Sequence, residues 1–298
     1  MDWQKGRESD NVVEDAGGGD ASGGRGFGFG GIHLGVGGII AVVVVSVLLG
    51  KNPLDMLAFV TGGVPPAVEP AAPRASAARP ADDSDIQVRF VKSILGSTED
   101  VWGSYFQSHG QAYERPRLDL FRGRVNTACG AASAAMGPFY CPGDRLVYLD
   151  LEFFQEMDTR FHARGDFARA YVIAHEVGHH VQNLIGVMDQ VDTARRRGQP
   201  MEGAAGLSVR LELQADCFAG VWAKRSQAQL NWLGPGDVEA ALNAAAQVGD
   251  DTLQRQARGT VVPDSFTHGT SAQRASWFKA GLAAGEIGAC NTFQARAL

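Results

Sequence analysis

The pentapeptide His175-Glu176-Val177-Gly178-His179 constrains the fold of this chain more than any other stretch. An α-helix advances about 100° per residue, so side chains at i and i+4 stand one above the other. On a helix, both imidazoles can therefore face one tetrahedral Zn²⁺, and Glu176, one step round, can reach a water held at the same point. The flanking residues supply that helix. Ala170, Ile173, Val177, Val181 and Leu184 recur at three/four spacing across 167–184, and Gly186 follows as a stop. Three of the seven histidines fall within six residues, which an ordinary core helix does not collect. His180 points away from the His175/His179 face and reads as a surface or supporting residue. Pairing Glu176 with His180 also has i, i+4 spacing, but it leaves no carboxylate free as a base.

Two histidines and a water leave a catalytic zinc one protein ligand short. Residues 207–225 again read as a helix, and Glu212 and Asp216 share one of its faces, bordered by Ala219 and Ala223. The economical assignment is Glu212 to the metal, with Asp216 behind it accepting a hydrogen bond from a ligand histidine. The roles of the two acids can also be exchanged, and a solvated acidic face has the same spacing.

Further stretches carry a resemblance. Met1-Asp2-Trp3 and Arg7-Glu8-Ser9-Asp10-Asn11-Val12 open the chain, followed by Gly137-Pro138-Phe139-Tyr140-Cys141-Pro142 and Val147-Tyr148-Leu149-Asp150-Leu151. Then come the 170–182 stretch around the paired histidines, Gln214-Ala215-Asp216-Cys217, and Phe266-Thr267-His268-Gly269-Thr270-Ser271. In this order they resemble the bacterial neutral zinc metallopeptidase family, membrane-anchored relatives of the Glu-zincins. The resemblance implies a zincin-like fold, a Zn²⁺ cofactor and hydrolysis of peptides or unfolded proteins. By the same resemblance, the strand expected at 145–151 is the sheet edge that pairs with an extended substrate, although an ordinary buried strand has the same pattern. Helices are also expected at 237–249 and 271–284. The fold class is thus α+β, helix-dominated, with a small sheet and one transmembrane helix ahead of it.

The front of the chain differs in composition. Residues 1–30 are polar and then glycine-rich, and read as a disordered tail. Residues 31–50 contain no acid, lysine or arginine, and 20 apolar residues at 1.5 Å each span a bilayer core. No small-residue cleavage site follows directly, so an uncleaved single-pass anchor is expected rather than a signal peptide. Residues 51–84 form a linker, with five prolines and seven alanines between 64 and 81, and 85–298 form the metallopeptidase domain. A net charge of −6 without a basic stripe argues against nucleic acid as a partner, and Arg195-Arg196-Arg197 reads as a solvated loop.

The four cysteines hold no Cys-x-x-Cys pair. Cys129–Cys141 and Cys217–Cys290 are the expected disulfides, against four free thiols in a reducing compartment. Together with Lys5 and Arg7 in the tail, they favour an inner-membrane protein with an extracytoplasmic, periplasmic domain. For stabilising a developing oxyanion, His268 is the candidate, with Tyr148 and Tyr171 behind it. Two other functions share these motifs. A deformylase-like hydrolase would use Cys141 as its metal ligand, and a latent or non-catalytic zinc scaffold would make Glu176 dispensable. Residues 187–206, between the two metal helices, read as a lid or a connection.

Overall fold

Period-two alternation decides the sheet. In Leu118-Asp119-Leu120-Phe121 and Val147-Tyr148-Leu149, successive side chains must face opposite sides of a strand. The computed structural model describes residues 1–15, 79–133, 137–161 and 163–298. Within them the strands are β1 (Val12–Glu14), β2 (Arg79–Pro80), β3 (Arg117–Phe121), β4 (Arg124–Thr127), β5 (Gly130–Ser133), β6 (Phe139–Cys141) and β7 (Leu146–Asp150). The helices are α1 (Ile86–Ser108), α2 (Glu152–Thr159), α3 (Asp166–Leu184), α4 (Val187–Arg196), α5 (Leu207–Leu230), α6 (Asp237–Gln247), α7 (Asp250–Arg258) and α8 (Ser271–Ala284). The fold is a helix-dominated α+β domain with two small sheets.

The larger sheet has the order β2-β1-β3-β7-β6. Strands β1, β3 and β7 are parallel, and β2 and β6 pair antiparallel at the two edges. One face, with Val12, Leu118, Leu120, Val147 and Leu149, packs on the helical core. The other face turns Phe121, Tyr148 and Cys141 towards Val125 and Ala132 of the β4–β5 hairpin. A disulfide between Cys129, at the hairpin turn, and Cys141 of β6 fastens the hairpin down.

Helix α1 runs through the middle of the helical layer with Val91, Ile94, Leu95, Val101 and Trp102 fully buried. It has no clean amphipathic stripe because Ser93, Ser97, Thr98 and Glu99 are buried as well, which is why its pattern is weak in the sequence. Helices α5 and α8 touch backbone to backbone. A Cβ at residue 281 would lie 1.9 Å from the Cys217 carbonyl oxygen, so glycine is required there. The second disulfide, Cys217–Cys290, ties the C-terminal segment to α5 at the same level.

Four expectations are corrected. Residues 1–15, read as the start of a disordered tail, are folded into the domain, because β1 takes an inner position in the sheet. Residues 79–84, read as linker, begin with β2 and bury Ala81, so the domain comprises 1–15 and 79–298. The strand at 145–151 is not the edge. It is β7, enclosed by β3 and β6, and β6 forms the edge instead. His180 does lie off the metal-binding face, but it is buried and not at the surface. The glycine-rich stretch from residue 16, the expected anchor at 31–50 and the linker up to residue 78 lie outside the described residues. Among the described residues, no helix is long and apolar enough to cross a membrane.

Candidate metal centre

The site is assembled from three helices. Helix α3 packs against α5 at Gly178, where a Cβ would sit 3.0 Å from the Ala215 carbonyl oxygen. This close approach brings the His175/His179 face of α3 against the Glu212/Asp216 face of α5. His175 Nε2 lies 3.2 Å from Glu212 Oε2, and His179 Nε2 lies 3.4 Å from Glu212 Oε1. One donor atom from each of the three residues falls within 4.8 Å of the others. Ligand atoms at about 2.1 Å around a tetrahedral zinc stand about 3.4 Å apart, so this nitrogen, nitrogen, oxygen set fits the ion.

The rear nitrogens of both rings are also held. His175 Nδ1 donates to Asp216 Oδ1 at 2.9 Å, and His179 Nδ1 donates to Gln182 Oε1 at 2.8 Å. These bonds place the protons on Nδ1 and leave the Nε2 lone pairs facing Glu212. Gln182 is oriented in turn by the Leu211 carbonyl and by Gln214. Asp216 is completely buried and takes a two-bond grip from Arg274 of α8, with Nε to Oδ2 and Nη2 to Oδ1 both at 2.9 Å. The Tyr171 hydroxyl donates to the same carboxylate. Asp216 therefore stands behind His175, and Glu212 faces the Nε2 atoms of both histidines at the candidate metal site. The Tyr171 hydroxyl is thereby engaged by Asp216 and by Arg274 Nη2. Tyr148 lies on the hairpin side of the sheet, bonded to Asp144, remote from these groups.

Charge follows from this packing. Burial alone would raise the Asp216 carboxyl, but the Arg274 guanidinium, and then His175, outweigh it and hold it at about 2. Burial would likewise raise Glu212, and the His179 and His175 rings hold it well below the carboxylate range. Glu176 is pushed above its ordinary value by burial, against the pull of the two imidazoles. Its carboxyl lines the same cleft as His175, His179 and Glu212, a cavity of about 1000 Å³.

His268 lines this cleft too, on the loop before α8, with its side chain half exposed. Asp250, at the start of α7, positions it. Asp250 Oδ2 accepts the backbone N–H groups of Thr267, His268 and Gly269 at 2.7, 2.6 and 3.0 Å, while Oδ1 lies 3.2 Å from His268 Nδ1. The hydrogen bond to Asp250 raises the His268 imidazole above its ordinary value, against burial. Edge strand β6 closes another side. Its Tyr140 hydroxyl accepts from Asn183 Nδ2 of α3 at 2.9 Å and lies 3.2 Å from His180 Nδ1. Helix α4, within the expected lid or connection, adds Met188, Asp192 and Arg195 to the cleft wall. Asp192 pairs with both Arg195 and Arg196.

Two supporting residues, Arg274 and Asp250, were not singled out in the sequence, because no local spacing ties either of them to the paired histidines or to His268. The deformylase-like reading is overturned, because Cys141 is bonded to Cys129 and has no thiolate to offer a metal.

A helix bearing two histidines and a glutamate, completed by a carboxylate on a second helix, defines a zinc-site architecture of the metallopeptidase type. The model for the family described as "Putative neutral zinc metallopeptidase" matches residues 1–293, and the chain belongs to that family. Uncharacterized protein YpfJ of Escherichia coli K12 is 47% identical over 295 residues, covering 98% of this chain and 99% of that protein. Uncharacterized protein Rv2575 of Mycobacterium tuberculosis H37Rv is 45% identical over 217 residues, covering 70% and 72% of the two chains. No solved structure matches.

Proposed function

We propose that this protein is a zinc-dependent peptidase that hydrolyses peptide bonds in extended or unfolded polypeptides. The observation that carries this reading is the convergence of His175 Nε2, His179 Nε2 and the Glu212 carboxylate beside Glu176 in one open cleft. Bound zinc would supply Lewis acidity, lowering the pKa of a water and polarising the scissile carbonyl. His175, His179 and Glu212 would hold the ion, and Asp216 and Gln182 keep the two imidazoles in the tautomer that can do so. Glu176 takes the attacking water's proton as the new C–O bond forms. It then delivers that proton to the amine nitrogen as the C–N bond breaks. Asp250 favours the protonated His268 ring, whose Nε2–H is free to donate to the carbonyl oxygen as negative charge develops there.

Strand β6 suits an extended substrate. It is the edge of the sheet, it lines the cleft, and its outer backbone groups can pair with a peptide main chain. Two disulfides favour an oxidising, extracytoplasmic compartment for the domain. Residues 31–50 are assigned to contact with a lipid bilayer on their apolar length.

The test uses the full-length protein, zinc analysis and cleavage of an unfolded casein-like substrate. Wild type should hold one zinc and cleave. Glu176→Gln should retain zinc and lose at least about 10²-fold in rate, whereas Glu212→Gln should lose both metal and activity. His268→Gln should lower kcat by about 10²–10³ with zinc unchanged. Stoichiometric zinc with equal activity in wild type and Glu176→Gln would remove the peptidase reading, and absence of zinc from wild type would remove the metal site.

A further inference from the structure

The first fifteen residues complete the domain, and this bears on how the protein can meet a membrane. Glu99, a buried carboxylate in the middle of α1, accepts hydrogen bonds from Arg7 Nη2 at 2.7 Å, Ser9 Oγ at 2.7 Å and Asn11 Nδ2 at 2.6 Å. The segment lies directly on α1, for a Cβ at residue 96 would stand 2.0 Å from the Arg7 carbonyl oxygen. Trp3 meets Phe90 edge to face at 5.7 Å, and the Ser93 hydroxyl donates to the Trp3 carbonyl. Strand β1 then enters the sheet between β2 and β3, with Val12, Val13 and Glu14 opposite Leu118, Asp119 and Leu120. A buried charge, a glycine-dependent contact and an inner strand all depend on this segment.

The chain leaves β1 at Glu14 and returns at Arg79, which is the antiparallel register partner of Glu14. Partners in such a ladder have Cα atoms about 5 Å apart. A segment that crosses a bilayer once must instead separate its ends by the hydrocarbon core, about 30 Å, and leave them on opposite sides. The β1–β2 ladder and a single crossing cannot coexist. Two crossings would need a second run of about 20 apolar residues. Residues 51–78 contain Lys51, Asp55, Glu69 and Arg74 together with five prolines, and so do not supply one. Exchange of β1 between two copies would not alter this, because every N-terminus in one membrane emerges on the same side.

We propose that residues 1–15 and 79–298 lie on one and the same side of the membrane. This rests on the reading of residues 31–50 as bilayer-contacting and replaces the single-pass topology with a one-sided one. It does not depend on the catalytic reading, and its test does not use activity.

The experiment takes full-length protein in native membranes, with the exposed residues Asp10 and Arg197 replaced singly, as Asp10→Cys and Arg197→Cys. A membrane-impermeant maleimide is applied to intact spheroplasts and to inverted vesicles. The four native cysteines are paired in disulfides and leave a low background. Both new thiols should label from the same face and lose labelling together in vesicles of the other orientation, while the protein stays with the membrane through an alkaline carbonate wash. Labelling of the two positions from opposite faces would overturn the one-sided topology, and release into the carbonate supernatant would overturn the bilayer attachment. A second variant, Glu14→Cys/Arg79→Cys, probes the ladder itself, since its Cα spacing suits a disulfide. Cross-linking within one chain in intact membranes is expected, and its failure would overturn the docking on which the topology stands.

Discussion

Asp216 and Asp119 are both buried aspartates, 0% and 7% exposed, and they sit on opposite sides of the molecule in opposite electrostatic circumstances. Asp216, among the helices, is gripped by Arg274, bonded by Tyr171 and His175, and held at about 2. Asp119, on the hairpin side of the sheet, is pushed up to about 6, first by burial and then by the nearby charge of Asp15. Its Oδ1 finds no hydrogen-bond partner among the described residues. The helical side thus sets its buried charge against His175 of the candidate metal site. The sheet side carries a buried acid whose ionised form is disfavoured, because burial and Asp15 outweigh the Asp15 backbone N–H and Arg117. Burial alone therefore does not mark a working carboxylate. The cation and the donors aimed at it do.

The comparison is broken most forcefully at its cation. Arg274→Met leaves Asp216 buried without its partner, and unfolding in urea at neutral pH should show a loss of about 3–5 kcal/mol. A loss below about 1 kcal/mol would mean that Asp216 is no better compensated than Asp119. The two disulfides divide along the same line. Cys217–Cys290, on the helical side, closes 73 residues, and Cys129–Cys141, on the sheet side, closes 12. Loop-closure entropy assigns them about 4 and about 3 kcal/mol. Replacing each pair with serines should reproduce that order in chemical denaturation, and the reverse order would count against an entropic origin.

Asp216→Asn sharpens the functional half. Loss of a charged acceptor behind a metal-ligating histidine lowers metal affinity by about 10–100-fold, measurable by competition with a chromophoric chelator. Asp119→Asn should leave zinc affinity alone and change stability in the opposite direction. Because the folded carboxyl titrates near 6 rather than at its ordinary 3.8, the folded state binds the proton more tightly. Its cost therefore develops as pH rises from about 4 to 6 and is complete above that. Asp119→Asn should gain about 1–3 kcal/mol at pH 7 and close to nothing at pH 4, read from urea midpoints at the two pH values. A pH-independent effect would show that Asp119 is not the group responsible.

Local periodicity carried much of the candidate site. Helix α3 and its paired histidines were readable because an apolar stripe and an i, i+4 metal spacing coincide on a single element. Helix α5, with Glu212 and Asp216 on one face, was readable in the same way, as were α6, α8 and strand β7. Both disulfide pairings followed from an even cysteine count and loop lengths. Helix α1 was not legible, because Ser93, Ser97, Thr98 and Glu99 are buried among its apolar residues and blur the apolar stripe. The N-terminal fifteen residues read as a tail, because a three-residue inner strand carries too little local signal and depends on partners more than a hundred residues away.

What this sequence determined by itself is the set of chemical groups and the helices that carry them. Two imidazoles and the Glu176 carboxylate lie on one helical segment and the Glu212 and Asp216 carboxylates on another, and spacing along a helix is a local property. Only the tertiary structure decided which acid faces the metal position and which stands behind. It also decided that Arg274 and Asp250 orient those groups, that β6 and not β7 forms the open edge, and that residues 1–15 belong inside the domain. Each of these depends on contacts between residues distant in the chain, where the energy lies in close packing and in pairing buried charge, and no local pattern encodes such partners.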